Sequence, residues 1–571
     1  MRDIQDLRKE EEGLKDLKLR SKIIFFPFVI LFFLGVFKII QLSIINKDNY
    51  EAESERNRII ELPVYPSRGL IKLKDGTIVA ENIAFHELFI DSKLLNDSAE
   101  QINFLFTQVL SKQRQLSETK SFSKKKSELL IVDNLTDEEI SRFKIFSEFM
   151  PNLKLKTSLR RYLPHKNLFS HVTGHLGPVS KEDKIIFSQN DYSNDALIGK
   201  VGVERAFEEL LKGKAGKSYI EVDVFGNRIR EINKVVPSRS KDITLTLDIN
   251  LQRLARRELN SRRGAIVALD PSNGHIKAMV SSPDYNPNIL NRSEFDKPVA
   301  ESSLDEAPFF NRAISGSYPP ASTIKPFIGL LGLEEKIIDA STIIEDVGFF
   351  QLKEDGRRYR GWKEDGHGKV NLEKAIVESS DVFFYELSSK LTIDRISSFL
   401  AKFGFGETTG IELLTETESI LPTRNWKLGN IGETWFVGDT INIGIGQGYI
   451  TSTPLQLAVS LSAIANRGII YKPTLVTQDL GQESNQKILA SIKIQDQTHW
   501  EVIEQAMISV INSWNGTAHN LYKEGGTIIA GKTGTAQIRS LVDQELTVSE
   551  EYEGVRLNIK DRDLSLIHIS E

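Results

Sequence analysis

Ser322 and Lys325, inside the run N-R-A-I-S-G-S-Y-P-P-A-S-T-I-K-P-F-I-G-L, set a hydroxyl and an amine three residues apart. On a helix those positions share a face, so the amine comes within hydrogen-bond reach of the hydroxyl. Serine at its free pKa is a poor nucleophile, but a lysine desolvated enough to stay neutral can take its proton. Tyr318, Pro319 and Pro320 form an extended lead, and the apolar F-I-G-L-L-G-L that follows reads as a buried helix. The serine then sits at the helix N-terminus, where outward N–H groups help to hold an oxyanion. Alone, S-x-x-K describes an ordinary helix start with a surface lysine equally well. Two further elements follow at domain-scale spacing: S-S-D at Ser379, Ser380 and Asp381, and K-T-G-T at Lys532, Thr533, Gly534 and Thr535. Taken singly, the first is a helix cap and the second a turn with a surface lysine. The combination in this order is what singles them out.

These residues must be positioned by a chain of 571 residues, 40% hydrophobic and 26% charged, with room for several domains. The net charge of −5 and the absence of a long basic tract give no reason to expect nucleic acid; Lys124 to Lys126 reads as a solvated face. Having no cysteine, the protein has no disulfides, no thiol nucleophile and no cysteine-ligated zinc. Ile23 to Phe37 is uncharged and apolar, and its continuation to Ile45 makes a helix of about 34 Å, enough to span a bilayer. Lys15, Lys18, Arg20 and Lys22 precede it, while Asp48, Glu51, Glu53 and Glu55 follow, so the N-terminus is expected in the cytoplasm and the rest outside. No small-x-small cleavage site follows, so the segment reads as an uncleaved anchor. From 46 to 241 short β-rich runs are punctuated by Asp75-Gly76, a hairpin signal, and 97–149 reads as helical and charged. His165, His171 and His175 lack a carboxylate partner pattern and read as structural. At 242–300 a second domain opens with a strand near Thr244, a helix from Leu251 to Leu259, and two buried strands joined by a turn at Pro271 to Gly274.

The three elements together resemble the signature set of penicillin-recognising serine acyltransferases. P-S-R-G-L-I-K-L-K-D-G at 66–76, S-H-V-T-G-H-L-G at 170–177 and I-G-K-V-G-V-E-R-A-F-E-E-L-L-K-G-K-A-G at 198–216 resemble the pedestal of class B penicillin-binding proteins. F-G-F-G-E-T-T-G-I-E-L at 403–413, I-N-I-G-I-G-Q-G-Y-I-T-S-T-P-L-Q-L-A at 441–458, N-G-T-A at 515–518 and G-K-T-G-T-A-Q at 531–537 continue the likeness, which is greatest to the elongation branch. Leu73-Lys74 and His175 depart from the family pattern and bear on local packing. The implied fold class is α+β: cytoplasmic tail 1–22, membrane anchor 23–45, elongated mixed pedestal 46–241, and transpeptidase domain 242–563 with an antiparallel sheet flanked by helices. By resemblance, Ser322 is the nucleophile, Lys325 its base, and Ser379 relays a proton to the leaving amine. Asp381 fills a place that is asparagine in many relatives. Lys532 borders the cleft and helps to keep Lys325 neutral, while Thr533, Gly534 and Thr535 bind substrate. The N–H groups of Ser322 and Thr535 form the oxyanion hole.

The implied reaction is D,D-transpeptidation of peptidoglycan stem peptides through an acyl-Ser322 ester, inhibited by β-lactams, with no cofactor. The implied place is the bacterial inner membrane, single-pass, with the catalytic domain periplasmic. Implied partners are a membrane-embedded glycan polymerase and elongation scaffold proteins. Asp346, Asp365 and His367 share a polar loop, but without a cysteine no metal is expected there. A division-type transpeptidase is the alternative within the class. A β-lactamase is disfavoured by the anchor and pedestal, a β-lactam sensor by the single N-terminal anchor, and an idle scaffold by the intact motif residues. In the family the K-T-G strand is followed by a connection, two strands and a helix. Arg562-Asp563 fits that pattern, but L-S-L-I-H-I-S-E then departs from it. It reads as translated sequencing adaptor, so 564–571 is expected to be an artefact and the domain incomplete at its C-terminus. On that expectation the K-T-G strand lacks ladder partners and Lys532 is not held opposite Ser322, so the natural full-length protein is expected to be active and the chain as written inactive.

Overall fold

The computed structural model describes residues 25–41, 58–64, 66–110, 128–132, 134–187, 197–223, 228–290, 307–352, 356–477, 487–536 and 564–570. The charges flanking the expected anchor, the Lys124 to Lys126 run and Arg562-Asp563 lie outside them. Residues 25–40 are helical and their apolar side chains, among them Phe25, Phe28, Phe32 and Phe33, are exposed. Among the described residues no helix is long and apolar enough to cross a membrane.

By internal contact the chain forms two units, Met1–Pro66 with Gly213–Arg239, and Ser67–Lys212 with Ser240–Glu571. In the first, strands Ile59–Val64, Gly216–Val222 and Arg228–Val235 form an antiparallel ladder. Glu221 lies between Arg58 and Arg230 across it, at 3.2 and 2.7 Å.

In the second unit, β1 (Ile71–Leu73) turns at Gly76, φ +85°, into β2 (Ile78–Asp91). This is the hairpin that Asp75-Gly76 predicts; Asp75 accepts from the Thr77 N–H at 2.9 Å. The long β2 carries β3 (Glu128–Val132) on one edge and β4 (Leu153–Tyr162) on the other, and β5 (Ile243–Leu245) runs parallel to β1. The expectation of helix across 97–149 is therefore corrected. Helices Ala99–Phe104 and Asp137–Ile145 are present, but Glu128–Val132 is a strand, its E-L-L-I-V run being richer in strand-forming side chains than in helical periodicity. A buried ion cluster ties these segments together: Glu204 receives Arg68 and Arg161, each at 2.6 Å, and Glu208 receives Arg68 at 2.6 Å.

The next part opens with the predicted strand, helix and hairpin, except that the first hairpin strand is half-buried along its length and only the second is buried. Helix α1 (Ile249–Leu259), capped by Asp248, packs on β7 of the hairpin β6 (Gly264–Leu269) and β7 (Ile276–Ser282). One core runs from Ile71 and Phe169 through α2 (Lys325–Glu334), α3 (Asp381–Lys390), α4 (Pro454–Ala465) and α5 (Thr498–Asn512). The K-T-G residues lie on β8 (Ala530–Ala536), which pairs antiparallel with β9 (Leu564–Ser570), Ala530 opposite Ser570 and Ala536 opposite Leu564. This corrects the expectation that β8 lacks a ladder partner. L-S-L-I-H-I-S is rich in branched apolar residues in near alternation, a composition that pairs readily as a strand. Among the described residues β6–β7 and β8–β9 remain separate ladders, so the single flanked sheet implied by resemblance is described as two.

Candidate active site

Ser322 lies in a single 3-10 turn, Ala321–Ile324, that runs directly into α2, with Pro326 in the first turn of the helix. The apolar stretch predicted to be buried is buried throughout: every residue from Lys325 to Leu333 is inaccessible. Glycines let neighbours come close. A Cβ on Gly329 would meet Leu372 at 2.8 Å, and one on Gly332 would meet Leu387 at 3.0 Å. The turn is gripped from outside as well. Tyr318 and Ser452 exchange backbone hydrogen bonds of 2.9 and 2.8 Å, and the Ala321 N–H donates to the Gly446 carbonyl at 2.9 Å. Ala321 takes φ +50°, a strained value for a residue with a Cβ.

S-S-D stands where helix Leu372–Val377 ends and α3 begins. Ser380 caps α3 by accepting the Phe383 N–H at 3.3 Å, so the capping reading is realised in the same motif as the chemical one. Ser379 takes φ +57° and presents both its hydroxyl and its carbonyl to the lysines. Lys532 Nζ donates to Ser379 Oγ at 2.9 Å and to its neighbour's Thr533 carbonyl at 2.9 Å. Gly534 brings β8 against the nucleophile turn: a Cβ there would lie 2.9 Å from Thr323 Cγ2 and 3.4 Å from the Pro320 carbonyl. Lys532 is thus held at the site, contrary to the expectation drawn from the end of the sequence.

Lys325 differs from expectation in its partner. Its ammonium donates to the Ser379 carbonyl at 2.8 Å, to Asp381 Oδ1 at 2.7 Å and to Ser379 Oγ at 3.3 Å, and not to Ser322 Oγ. The cause is electrostatic: Lys325 is fully buried, and a carboxylate within reach is the strongest partner for a buried ammonium. Burial pushes the Lys325 pKa down, while Asp381 opposes the fall. Lys532 is pushed well below the ordinary lysine value, first by burial and then by the charge of Lys325. Two buried amines share one carboxylate, so one of them is the natural place for a neutral base. The expected repulsion between them falls chiefly on Lys532.

Several supporting residues have no signal in the motifs. The backbone N–H of Trp362 donates to Asp381 Oδ2 at 3.0 Å and its indole N–H to the Ser379 carbonyl at 3.2 Å. Asp346 Oδ2 accepts from Ser380 Oγ and faces His367 Nδ1, both at 2.7 Å. Asp365 is not bonded into this network, and among the described residues no group of three or more His, Asp or Glu side chains is arranged to hold a metal. Thr533 Oγ1 donates to Thr517 Oγ1 of N-G-T-A at 2.8 Å. His171 reaches the Pro308 carbonyl at 2.8 Å and His175 the Tyr285 hydroxyl at 3.2 Å; burial lowers both imidazoles to about 4, as suits structural histidines.

A serine at the head of a buried helix, with two buried amines converging on a second serine beside it, is the outline of a covalent acyl-transfer site. Comparison with known proteins gives it a class. The penicillin binding protein transpeptidase domain family matches residues 264–550, and the penicillin-binding protein dimerisation domain family matches 63–245. The peptidoglycan D,D-transpeptidase MrdA of Haemophilus influenzae is 35% identical over 89% of this chain and 80% of its own. Among solved structures, the penicillin-binding protein PBP2 of Helicobacter pylori in complex with MreC superposes with TM-score 0.71 at 30% identity, over 84% of this chain and 90% of that one. PBP2 of Pseudomonas aeruginosa in complex with WCK 5153 superposes with TM-score 0.65 at 31% identity, over 84% and 86%. The chain belongs to the class B penicillin-binding proteins, in the PBP2 (MrdA) branch of serine-type peptidoglycan D,D-transpeptidases.

Proposed function

We propose that the protein cross-links peptidoglycan stem peptides during wall elongation, with Ser322 as nucleophile. The observation that carries this is the convergence of Lys325 and Lys532 on Ser379 beside the Ser322 turn. Ser322 Oγ attacks the carbonyl between the two terminal D-alanines of a donor stem, and the carbonyl oxygen becomes an oxyanion facing the N–H groups of Ser322 and Thr535. The serine proton passes to a neutral amine of the lysine pair, Lys325 in the assignment by resemblance, and through Ser379 to the departing D-alanine amine. The C–N bond breaks and an ester to Ser322 remains. An amine of a neighbouring stem then attacks the ester, loses its proton by the reverse path and releases Ser322. Thr533 and Thr535 offer hydroxyls to the donor's terminal carboxylate, and Gly534 allows close approach. A β-lactam enters as donor and leaves a long-lived acyl-Ser322.

The same reading sets the domains at 46–241 for the pedestal and 242–563 for the catalytic part, anchored in the inner membrane through 23–45 with the catalytic domain on the periplasmic side. The pedestal takes an elongation scaffold protein and a membrane-embedded glycan polymerase; in support, the Helicobacter pylori relative is found in complex with MreC. The test is Ser322→Ala. It removes one hydroxyl, so covalent labelling by fluorescent penicillin disappears in gels and intact-protein mass spectra while the fold is kept. A persistent acyl adduct on the folded variant places the nucleophile elsewhere.

A further inference from the structure

The two N–H groups assigned to the oxyanion hole come from elements far apart in the chain, the Ser322 turn and strand β8. Their separation decides whether both reach one oxygen, and loss of about 1 Å of alignment at a reacting centre costs on the order of 100-fold in rate. Contact between the two elements themselves is steric: the bare Gly534 backbone rests on Thr323 and Pro320. That sets how closely they approach; along its axis β8 is held by Lys532 on Ser379, by Thr533 on Thr517 and by the β9 ladder, but none of these ties Thr535 to the nucleophile turn.

A third element touches both. In the run I-G-I-G-Q-G-Y, Gly446 takes φ +73°, and its Cβ position is occupied by Ala321, whose carbonyl oxygen would lie 2.1 Å away. The Gly446 carbonyl accepts the Ala321 N–H at 2.9 Å, one residue before the nucleophile. The next side chain, Gln447, donates from Nε2 to the Thr535 carbonyl at 3.3 Å. Gln447 is itself held, its own N–H bonded to the Asn442 carbonyl at 3.0 Å, and the segment grips the turn again through Ser452 and Tyr318. Two consecutive residues therefore connect the residue before Ser322 to the backbone of Thr535.

We infer that Gln447 is a positioning residue for the oxyanion hole. Its amide ties the Thr535 peptide to the segment that holds the Ser322 turn, so that the Thr535 N–H stays aligned with the Ser322 N–H. It does not touch the reacting atoms. The inference rests on the proposed acyl-transfer function, whose nucleophile Ser322→Ala tests separately.

Gln447→Met and Gln447→Glu keep the length of the side chain and remove the donor at neutral pH. Both are expected to lower the acylation rate constant for nitrocefin by about 10- to 100-fold. Affinity for a boronic acid, whose tetrahedral adduct puts an oxygen in the same hole, is expected to fall in parallel. Binding of the intact β-lactam before acylation changes little, and the melting temperature moves by no more than about 2 °C. A purely structural role lowers the melting temperature without the matched loss of boronate affinity, and that result overturns the inference. Acylation within about threefold of wild type by either folded variant also overturns it.

Discussion

Asp381→Asn separates the charge of the site from its shape. Asparagine keeps an acceptor oxygen for Lys325, loses the carboxylate charge 2.7 Å from a fully buried ammonium, and gives up the acceptor of the Trp362 N–H. At that distance, with an effective dielectric of about 20, the attraction is about 6 kcal/mol. The retained hydrogen bond and local relaxation recover roughly half, leaving about 3 kcal/mol, at the lower end of what removing one partner of a buried pair costs. At about 1.4 kcal/mol per pKa unit, that lowers the affinity of the lysine pair for its proton by about 2 units. The direction follows from the causes. Burial already pushes both amines down, Asp381 opposes the fall, and its loss lets them fall further. Acylation needs a neutral amine, so its acid limb moves to lower pH by about 2 units. The plateau falls, because a less basic amine is a weaker proton acceptor. The assay is the rate constant for acylation by a chromogenic β-lactam from about pH 4 to pH 9. An acid limb that stays within about 0.3 unit of wild type, in a folded variant, refutes the claim that Asp381 sets the protonation of the pair.

Gly534→Ala adds a methyl 2.9 Å from Thr323 Cγ2 and 3.3 Å from the Thr323 N, so β8 must retreat from the nucleophile turn. Acylation is expected to drop at least about 10-fold while stability changes by about 1–3 kcal/mol, read by stopped-flow labelling and denaturant melts. Arg161→Leu leaves Glu204 buried with Arg68 alone, which is expected to cost about 3–5 kcal/mol in urea unfolding. Its acylation rate below the melting transition stays at the wild-type value, since this cluster shares no hydrogen bond with Ser322, Lys325, Ser379 or Lys532.

The chemistry was legible where it sits on local pattern. S-x-x-K at a helix start and S-S-D at a helix cap land on the elements that local pattern predicts, because propensity and capping act over a few residues, whereas K-T-G, a turn by local pattern, lies on the strand that the resemblance implies. Contacts made between residues 17 to 88 positions apart were not legible. Lys325 turns to Asp381 instead of Ser322, since a carboxylate 56 residues away outbids a nearby hydroxyl. Trp362 and Gln447 reach the site from loops whose letters carry no periodicity. Glu128–Val132 is a strand inside a stretch whose pattern predicts helix, because a short apolar run does not declare its period. The pairing of β8 with β9 has a different origin: the family pattern ends before that segment, and its own strand propensity decides what it does.

The left-handed backbone at Ala321 and Ser379 has a consequence for which variants selection tolerates. Both residues sit immediately beside reacting groups in conformations that cost on the order of 1 kcal/mol or more for a side chain with a Cβ. A glycine at 321 would relieve the strain and at the same time widen the range of directions the nucleophile turn can sample. At 379 no such relief exists, because the residue that bears the strain is the one whose hydroxyl both lysines hold. Substitutions that compensate for lost stability are therefore expected to accumulate away from these two positions, in the helices and ion clusters around them, while the strained residues themselves stay fixed.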